Sequence, residues 1–345
     1  LQAPAAPVDC CESGSTLRFL IPLAALTGRP VAFTGRGRLM QRPQSVYQEL
    51  FASQGLRFGQ EGDTLTVAGP LRPGCFSLAG DVSSQFISGL LFALPLLDGD
   101  SRLCLKPPVE SRSYIEMTRA AQSRFGVASA WLDEYTLAVP GGQAYRPRDM
   151  AIEGDWSQAA FPAALGVLAG DVTVTGLEPG TLQGDAVILD ILRRCGGRAE
   201  AVPGGVRFQK SALHGTKIDL ADCPDLGPIL MALGLLCEGE TVITNAGRLR
   251  LKESDRIAAM EQELRKLGGR IESDGGTVTV RRSALHAPAG PLWGHNDHRV
   301  VMSLTVLAAA AGLPVQIDGA EAVAKSWPGF FAAVRQLGVE VQTDA

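Results

Sequence analysis

The sequence predicts an α/β protein assembled from copies of one unit and divided into two domains. Three observations predict it: the length, two ladders of evenly spaced glycines, and one order of elements repeated between their rungs. At 345 residues the chain has the length of about two domains. Hydrophobic residues make up 46% and charged residues 20%, the balance of a soluble globular protein with ample material for cores.

The first ladder marks the ends of apolar runs: Gly28, Gly99, Gly170, Gly239 and Gly312, spaced 71, 71, 69 and 73 apart. A short β-branched segment follows each run, as in RPVAFTG, DVTVTG, ETVITN and LPVQIDG. An amphipathic helical pattern comes next, as in SYIEMTRAAQSRFG or SDRIAAMEQELRKLGG, and stops at the second ladder. Its rungs are Gly55, Gly126, Gly196, Gly268 and Gly338, spaced 71, 70, 72 and 70 apart. Glycine just past a helix end accepts the left-handed cap conformation without a steric penalty. A hairpin pattern such as GRIESDGGTVTVRR, with its Asp-Gly-Gly turn, closes the unit. The unit therefore reads helix, strand, helix, strand, strand, with one more strand in front. Five units are expected.

Composition narrows the function. A net charge of -4 opposes general nucleic-acid binding, which needs a basic excess to neutralise phosphates, but permits a local cation cluster for small anions. Leu1 to Pro7 is short, uncharged and weakly apolar, unlike a secretory signal. The apolar runs Phe86–Leu97 and Val300–Leu313 are too short to span a bilayer and read as buried helices. Seven cysteines without a C-x-x-C suggest a reduced, cytoplasmic setting.

The chemistry concentrates in polar turns ahead of the apolar runs: ESGSTLR, DVSSQF, GDWSQAAF, CPDLG and HNDHR. Helix N-termini offer free N–H groups and a positive dipole end, so five such turns in register suit anions, although any one alone reads first as a plain N-cap. A sixth cluster, RLRLKESDR (Arg248–Arg256), reads as a solvated loop in which Ser254 caps the next helix, or as an anion clamp. In the second reading Lys252 and Arg256 stand beside the titratable Glu253, as acid–base work on a phosphorylated substrate requires. His295, Asp297 and His298 lack a third strong ligand, so no metal is expected. No nucleotide-binding glycine motif is present, so no cofactor is expected either.

At these residues the chain resembles the EPSP synthases over essentially its whole length. ESGSTLRF, MQRP (Met40–Pro43), VSSQF, the Ser111–Thr118 segment, PDLGPIL (Pro224–Leu230), KESDR and NDHRVVMSL match that family's motifs in order. The resemblance implies a two-domain inside-out α/β barrel of βαβαββ units, with helices inside, sheets outside and helix N-termini facing an interdomain cleft. Five of six units are present: two in a first lobe over residues 1–152 and three in a second over 153–345. The family's first unit, with its Pro-Gly-Ser-Lys-Ser motif, has no counterpart here, so little activity is expected of this chain alone.

The implied reaction transfers the enolpyruvyl group of phosphoenolpyruvate to the 5-hydroxyl of shikimate 3-phosphate and releases phosphate. Carried over by motif, Ser83, Ser84, Ser111, Asp225 and Lys252 hold shikimate 3-phosphate. Gly14, Arg42, Gln85, Arg256, Arg299 and Lys325 hold phosphoenolpyruvate. Asp225 is the implied base toward the 5-hydroxyl, and Glu253 the proton donor and acceptor at the methylene carbon. The implied partners are small molecules, with no nucleic acid or membrane, and the complete enzyme is expected to be a monomer. One departure is Cys11, where relatives usually carry glycine. Two alternatives remain. UDP-N-acetylglucosamine enolpyruvyl transferase shares the architecture but carries a reactive cysteine that the loop Arg36–Pro43 lacks. An inactive or split fragment needing a partner chain is the other.

Overall fold

The structure, a computed structural model, describes residues 1–178 and 180–343. Ten α-helices lie within them: α1 (Gly14–Ala25), α2 (Ser45–Ser53), α3 (Ser84–Ala93), α4 (Arg112–Arg124), α5 (Trp156–Ala169), α6 (Ile188–Arg194), α7 (Gly227–Gly234), α8 (Arg256–Lys266), α9 (His298–Ala311) and α10 (Phe330–Gln336). Odd-numbered helices come from the apolar runs and even-numbered ones from the amphipathic patterns, so each repeat supplies one pair. Helix α7, GPILMALG, is buried at every residue, whereas α4 buries only Ile115, Thr118 and Gln122. Apolar helices therefore make the interior and amphipathic helices cover it.

The strands follow the predicted order. In the first repeat Val8–Asp9 runs parallel to Val31–Thr34. The latter pairs antiparallel with Thr64–Ala68, which pairs antiparallel with Arg57–Glu61. The repeats opening at Cys75 and Lys217 have the same four-stranded order. The repeat between them forms a three-stranded sheet without the leading strand, and the last pairs only Leu292–Trp293 with Ile317–Asp318 among the described residues. Alternation is clean where it can be read: Val31 and Phe33 point inward, as do Val278 and Val280.

The second glycine ladder has one conformation at all five rungs, with φ from 67° to 90°. The first four rungs turn the chain from a helix into the next strand, a conformation in which a Cβ would be strained. The first ladder is less uniform. Gly28, Gly239 and Gly312 are left-handed, but Gly170 has φ -142°. The run Phe86–Leu97 is also not one helix: α3 gives way to a 3-10 turn, Leu94–Leu96, because Pro95 has no N–H to continue the ladder.

The chain divides into two compact units, Leu1–Ala151 and Ile152–Ala345. The first packs α1 against α3 around Leu17, Ile21, Tyr47, Phe86 and Leu90. The second packs α5 and α7 against α9 around Phe161, Leu230, Met260, Val301 and Leu304. No helix among the described residues is long and apolar enough to cross a membrane.

Candidate active site

In the second unit, charge gathers around Asp225, which lies in the turn leading into α7. Lys252 Nζ and Arg256 Nη1 both donate to its Oδ1, at 3.1 and 3.0 Å. Arg299 Nη2 donates to Oδ2 at 3.2 Å, and Arg299 Nη1 to the Asp225 carbonyl at 3.2 Å. Glu253 Oε2 accepts from Arg256 Nη2 at 2.8 Å. Five of the predicted site residues, contributed by three different segments, thus form one network. Burial alone would raise the Asp225 carboxyl, but Arg299, Lys252 and Arg256 override it and hold the group well below the usual carboxylate range. Burial pushes Lys252 down against the opposing pull of Asp225.

Beneath this network lies a residue whose part was not expected. Asp297 is fully buried and accepts from Arg256 Nε at 2.8 Å, Arg256 Nη2 at 3.3 Å and Ser254 Oγ at 3.0 Å. It also caps α9 by accepting from the Arg299 N–H at 3.0 Å. One carboxylate therefore positions both arginines. Burial would raise it, but the Arg256 charge and hydrogen bonds lower it below the normal range, while Asp297, Glu253 and Asp225 together raise Arg256 despite its burial. Ser254 does not cap α8, contrary to expectation. Asp255 does, accepting from the Ala258 N–H at 3.0 Å, and its longer reach frees the serine to turn inward to Asp297.

Arg299 is further fixed by Ser157 at the start of α5, donating to its Oγ at 2.9 Å. Lys325 is tied to the turn before α9, its Nζ donating to the Asn296 carbonyl at 2.6 Å. The two histidines of that turn part company. His295 Nε2 meets the buried Glu263 at 3.1 Å, and His298 is pushed by burial and by Arg299 down to about 4. No group of three His, Cys, Asp or Glu suited to a metal ion occurs among the described residues.

In the first unit, Gly14 and Arg42 meet. A Cβ at position 14 would lie 2.8 Å from Arg42 Nη1, so the guanidinium rests where any other residue would place a side chain. Gln85 joins two segments: its Nε2 donates to Ser15 Oγ at 2.9 Å and its Oε1 accepts from Arg18 Nη1 at 2.9 Å. Arg18, nearly buried in α1 and stacked 4.6 Å from the Phe86 ring centroid, was missed by sequence reasoning. Its signal was a lone charge inside an apolar run. Ser83 caps α3 by accepting from the Gln85 N–H at 3.3 Å, and Ser84 is buried as the first helical residue. Ser111 precedes α4 with φ 56°. The Glu110 N–H donates to the Gly80 carbonyl at 3.1 Å, which holds the Ser111 segment beside the turn that carries Ser83 and Ser84.

The polar turns are less open to anions than the sequence suggested. Ser13, Ser83, Asp155 and Asp297 each occupy N–H groups of the helix they precede. Arginine side chains supply the positive charge in the first unit, and arginine and lysine side chains in the second.

Known proteins match this chain. A family model described as EPSP synthase (3-phosphoshikimate 1-carboxyvinyltransferase) matches residues 1–334. The 3-phosphoshikimate 1-carboxyvinyltransferase of Clostridium kluyveri is 42% identical over 337 residues, covering 97% of this chain and 79% of that protein. The enzyme of the same name from Clostridium acetobutylicum is 41% identical over 338 residues, covering 97% and 78%. A solved EPSP synthase from Acinetobacter baumannii superposes with a TM-score of 0.76 at 22% identity, over 97% of this chain and 79% of that one. The enolpyruvyl transferase NikO from Streptomyces tendae gives 0.64 at 16% identity, over 99% and 96%. The two structures speak for the inside-out α/β fold alone. The sequence matches, spread over nearly every repeat, go further: this chain belongs to the EPSP synthase (3-phosphoshikimate 1-carboxyvinyltransferase) family.

Proposed function

We propose that the protein transfers the enolpyruvyl group of phosphoenolpyruvate to the 5-hydroxyl of shikimate 3-phosphate, as a monomer in the cytoplasm, with free small molecules as its only partners. The observation that carries the reading is the convergence of Lys252, Arg256 and Arg299 on Asp225, with Glu253 bound to the same Arg256. Two multiply anionic reactants need fixed cations, and the reaction needs two carboxylates to move two protons. The UDP-N-acetylglucosamine alternative lacks support in the loop Arg36–Pro43, which contains no cysteine.

In this reading Arg42, Gln85, Arg256, Arg299 and Lys325 bind phosphoenolpyruvate, with Gly14 making room for Arg42. Ser83, Ser84, Ser111 and Lys252 bind shikimate 3-phosphate, with Asp225 at its ring hydroxyls. Glu253 protonates C3 of phosphoenolpyruvate, and the 5-hydroxyl attacks C2 while Asp225 accepts its proton. Glu253 then removes a C3 proton as the C–O bond to phosphate breaks, which regenerates the double bond. A carboxylate held as low as Asp225 is a weak base. Its role therefore requires the phosphate and carboxylate groups of the reactants to take over part of the charge of Arg299, Lys252 and Arg256, which lets the Asp225 pKa climb.

The test is phosphate release by the full-length enzyme given both reactants. Asp225→Ala and Glu253→Ala should each abolish turnover while the circular dichroism spectrum remains that of the folded protein. Near-normal turnover in either variant removes that residue from the mechanism. Turnover with UDP-N-acetylglucosamine in place of shikimate 3-phosphate overturns the substrate assignment.

A further inference from the structure

Two cysteines touch on the outer face of a sheet in the first unit, and neither is among the residues given a role above. Cys75 opens the strand Cys75–Ala79, and Cys104 lies within the parallel strand Ser101–Lys106. The register sets Cys75 opposite Arg102 and Cys104 opposite Ser77. Phe76, Leu78, Leu103 and Leu105 are buried, so alternation turns Cys75 and Cys104 outward together. Their Sγ atoms are 3.1 Å apart, inside the roughly 3.5–4.0 Å at which non-bonded heavy atoms rest. Both are free thiols, with Cys75 exposed and Cys104 partly so, while Cys10, Cys195, Cys223 and Cys237 are buried.

We propose that Cys75 and Cys104 form a peroxide-reactive dithiol site that closes reversibly to an intrachain disulfide. The more exposed Cys75 reacts first. Its thiolate attacks one oxygen of hydrogen peroxide, the O–O bond breaks, and hydroxide leaves, giving a sulfenic acid at Cys75. The Cys104 sulfur then attacks the Cys75 sulfur and displaces a second hydroxide. With the two thiol protons, the hydroxides become two waters. Two thiols are oxidised and one peroxide is reduced. The order agrees with the hydrogen bond to Cys75 and the partial burial that raise the Cys104 thiol.

The closed form joins two strands of one sheet. One leads to the turn carrying Ser83 and Ser84, the other to Ser111. The proposal does not depend on the enzymatic reading, because its readout is covalent.

The reduced full chain is exposed to hydrogen peroxide, alkylated, and digested without reductant for mass spectrometry. The expected product is a Cys75–Cys104 linked peptide pair, two hydrogens lighter than its separate halves, roughly tenfold more abundant than any other link and lost on adding dithiothreitol. In Cys104→Ser the link is absent and a dimedone adduct accumulates at Cys75. The proposal fails if peroxide carries either cysteine to sulfinic acid without linking the pair. It fails equally if the main links run through Cys11 or between chains, or if both thiols remain reduced.

Discussion

Arg256 and Asp297 form an ion pair closed to solvent, with Nε 2.8 Å from Oδ2 and side chains 1% and 0% exposed. A buried charge without its partner is costly, so Asp297→Ala should destabilise the second unit by about 3–5 kcal/mol. The double variant Arg256→Met with Asp297→Leu should recover part of that loss, because neither member of the buried pair is left alone, while Glu253 and Asp225 each lose a contact to Arg256. Urea unfolding of both, set against wild type, measures the difference. A single variant within about 1 kcal/mol of wild type would show that the pair does not organise this core.

Stability should fall between neutral and mildly acidic pH on account of His298. Its folded pKa is about 4, against 6.5 for the free side chain. Between those values the unfolded chain binds a proton that the folded one refuses, so stability rises with pH through the window and is fully present above it. Asp225 and Asp297, both depressed, add a second loss only below the normal carboxylate range near pH 4. Urea midpoints at pH 7 and pH 5 should separate clearly in wild type and much less in His298→Gln. An equal drop in both assigns the acid sensitivity elsewhere.

Arg299 holds two groups at once: Nη2 donates to Ser157 Oγ and Asp225 Oδ2, and Nη1 to the carbonyls of the same two residues. A lysine keeps the charge but has no planar fork to span them. In the full-length enzyme, Arg299→Lys should raise KM for phosphoenolpyruvate roughly tenfold or more, the scale of one charge-assisted hydrogen bond at about 1.5–3 kcal/mol. Steady-state rates at saturating shikimate 3-phosphate read it. An unchanged KM would detach Arg299 from that reactant.

Two glycines should answer differently to alanine. At Gly14 the new Cβ would meet only the tip of Arg42, a flexible side chain that can swing aside. Gly14→Ala should leave stability within about 0.5 kcal/mol while weakening phosphoenolpyruvate binding. At Gly89 the Cβ would meet the Tyr47 hydroxyl and the Arg18 carbonyl, both in the packed core. Gly89→Ala should cost about 1–3 kcal/mol as an overpacking change. Paired thermal melts and ligand titrations separate the two cases.

Much of this was readable in the chain itself where the signal is local. The glycines after α2, α4, α6, α8 and α10 mark helix ends because only the backbone at that residue decides their conformation. Lys252, Glu253 and Arg256 were visible because they are near neighbours in sequence. Asp297 was not, since its partners Ser254 and Arg256 lie 43 and 41 residues away and nothing in HNDHR announces them. Arg18 was hidden for the same reason, with Gln85 67 residues distant. The cap at Asp255 was misplaced by one residue because serine and aspartate compete on nearly equal terms for that position, and tertiary contact with Asp297 broke the tie.

Every sheet among the described residues draws its strands from a single repeat. Main-chain pairing is thus complete within each stretch of sequence, and the ribosome need not finish the next stretch before it forms. Copying or excising one whole stretch would leave no unmatched strand edge in its neighbours. What binds successive stretches into a unit is side-chain burial between helices, a bond tolerant of gradual change in a way that strand register is not.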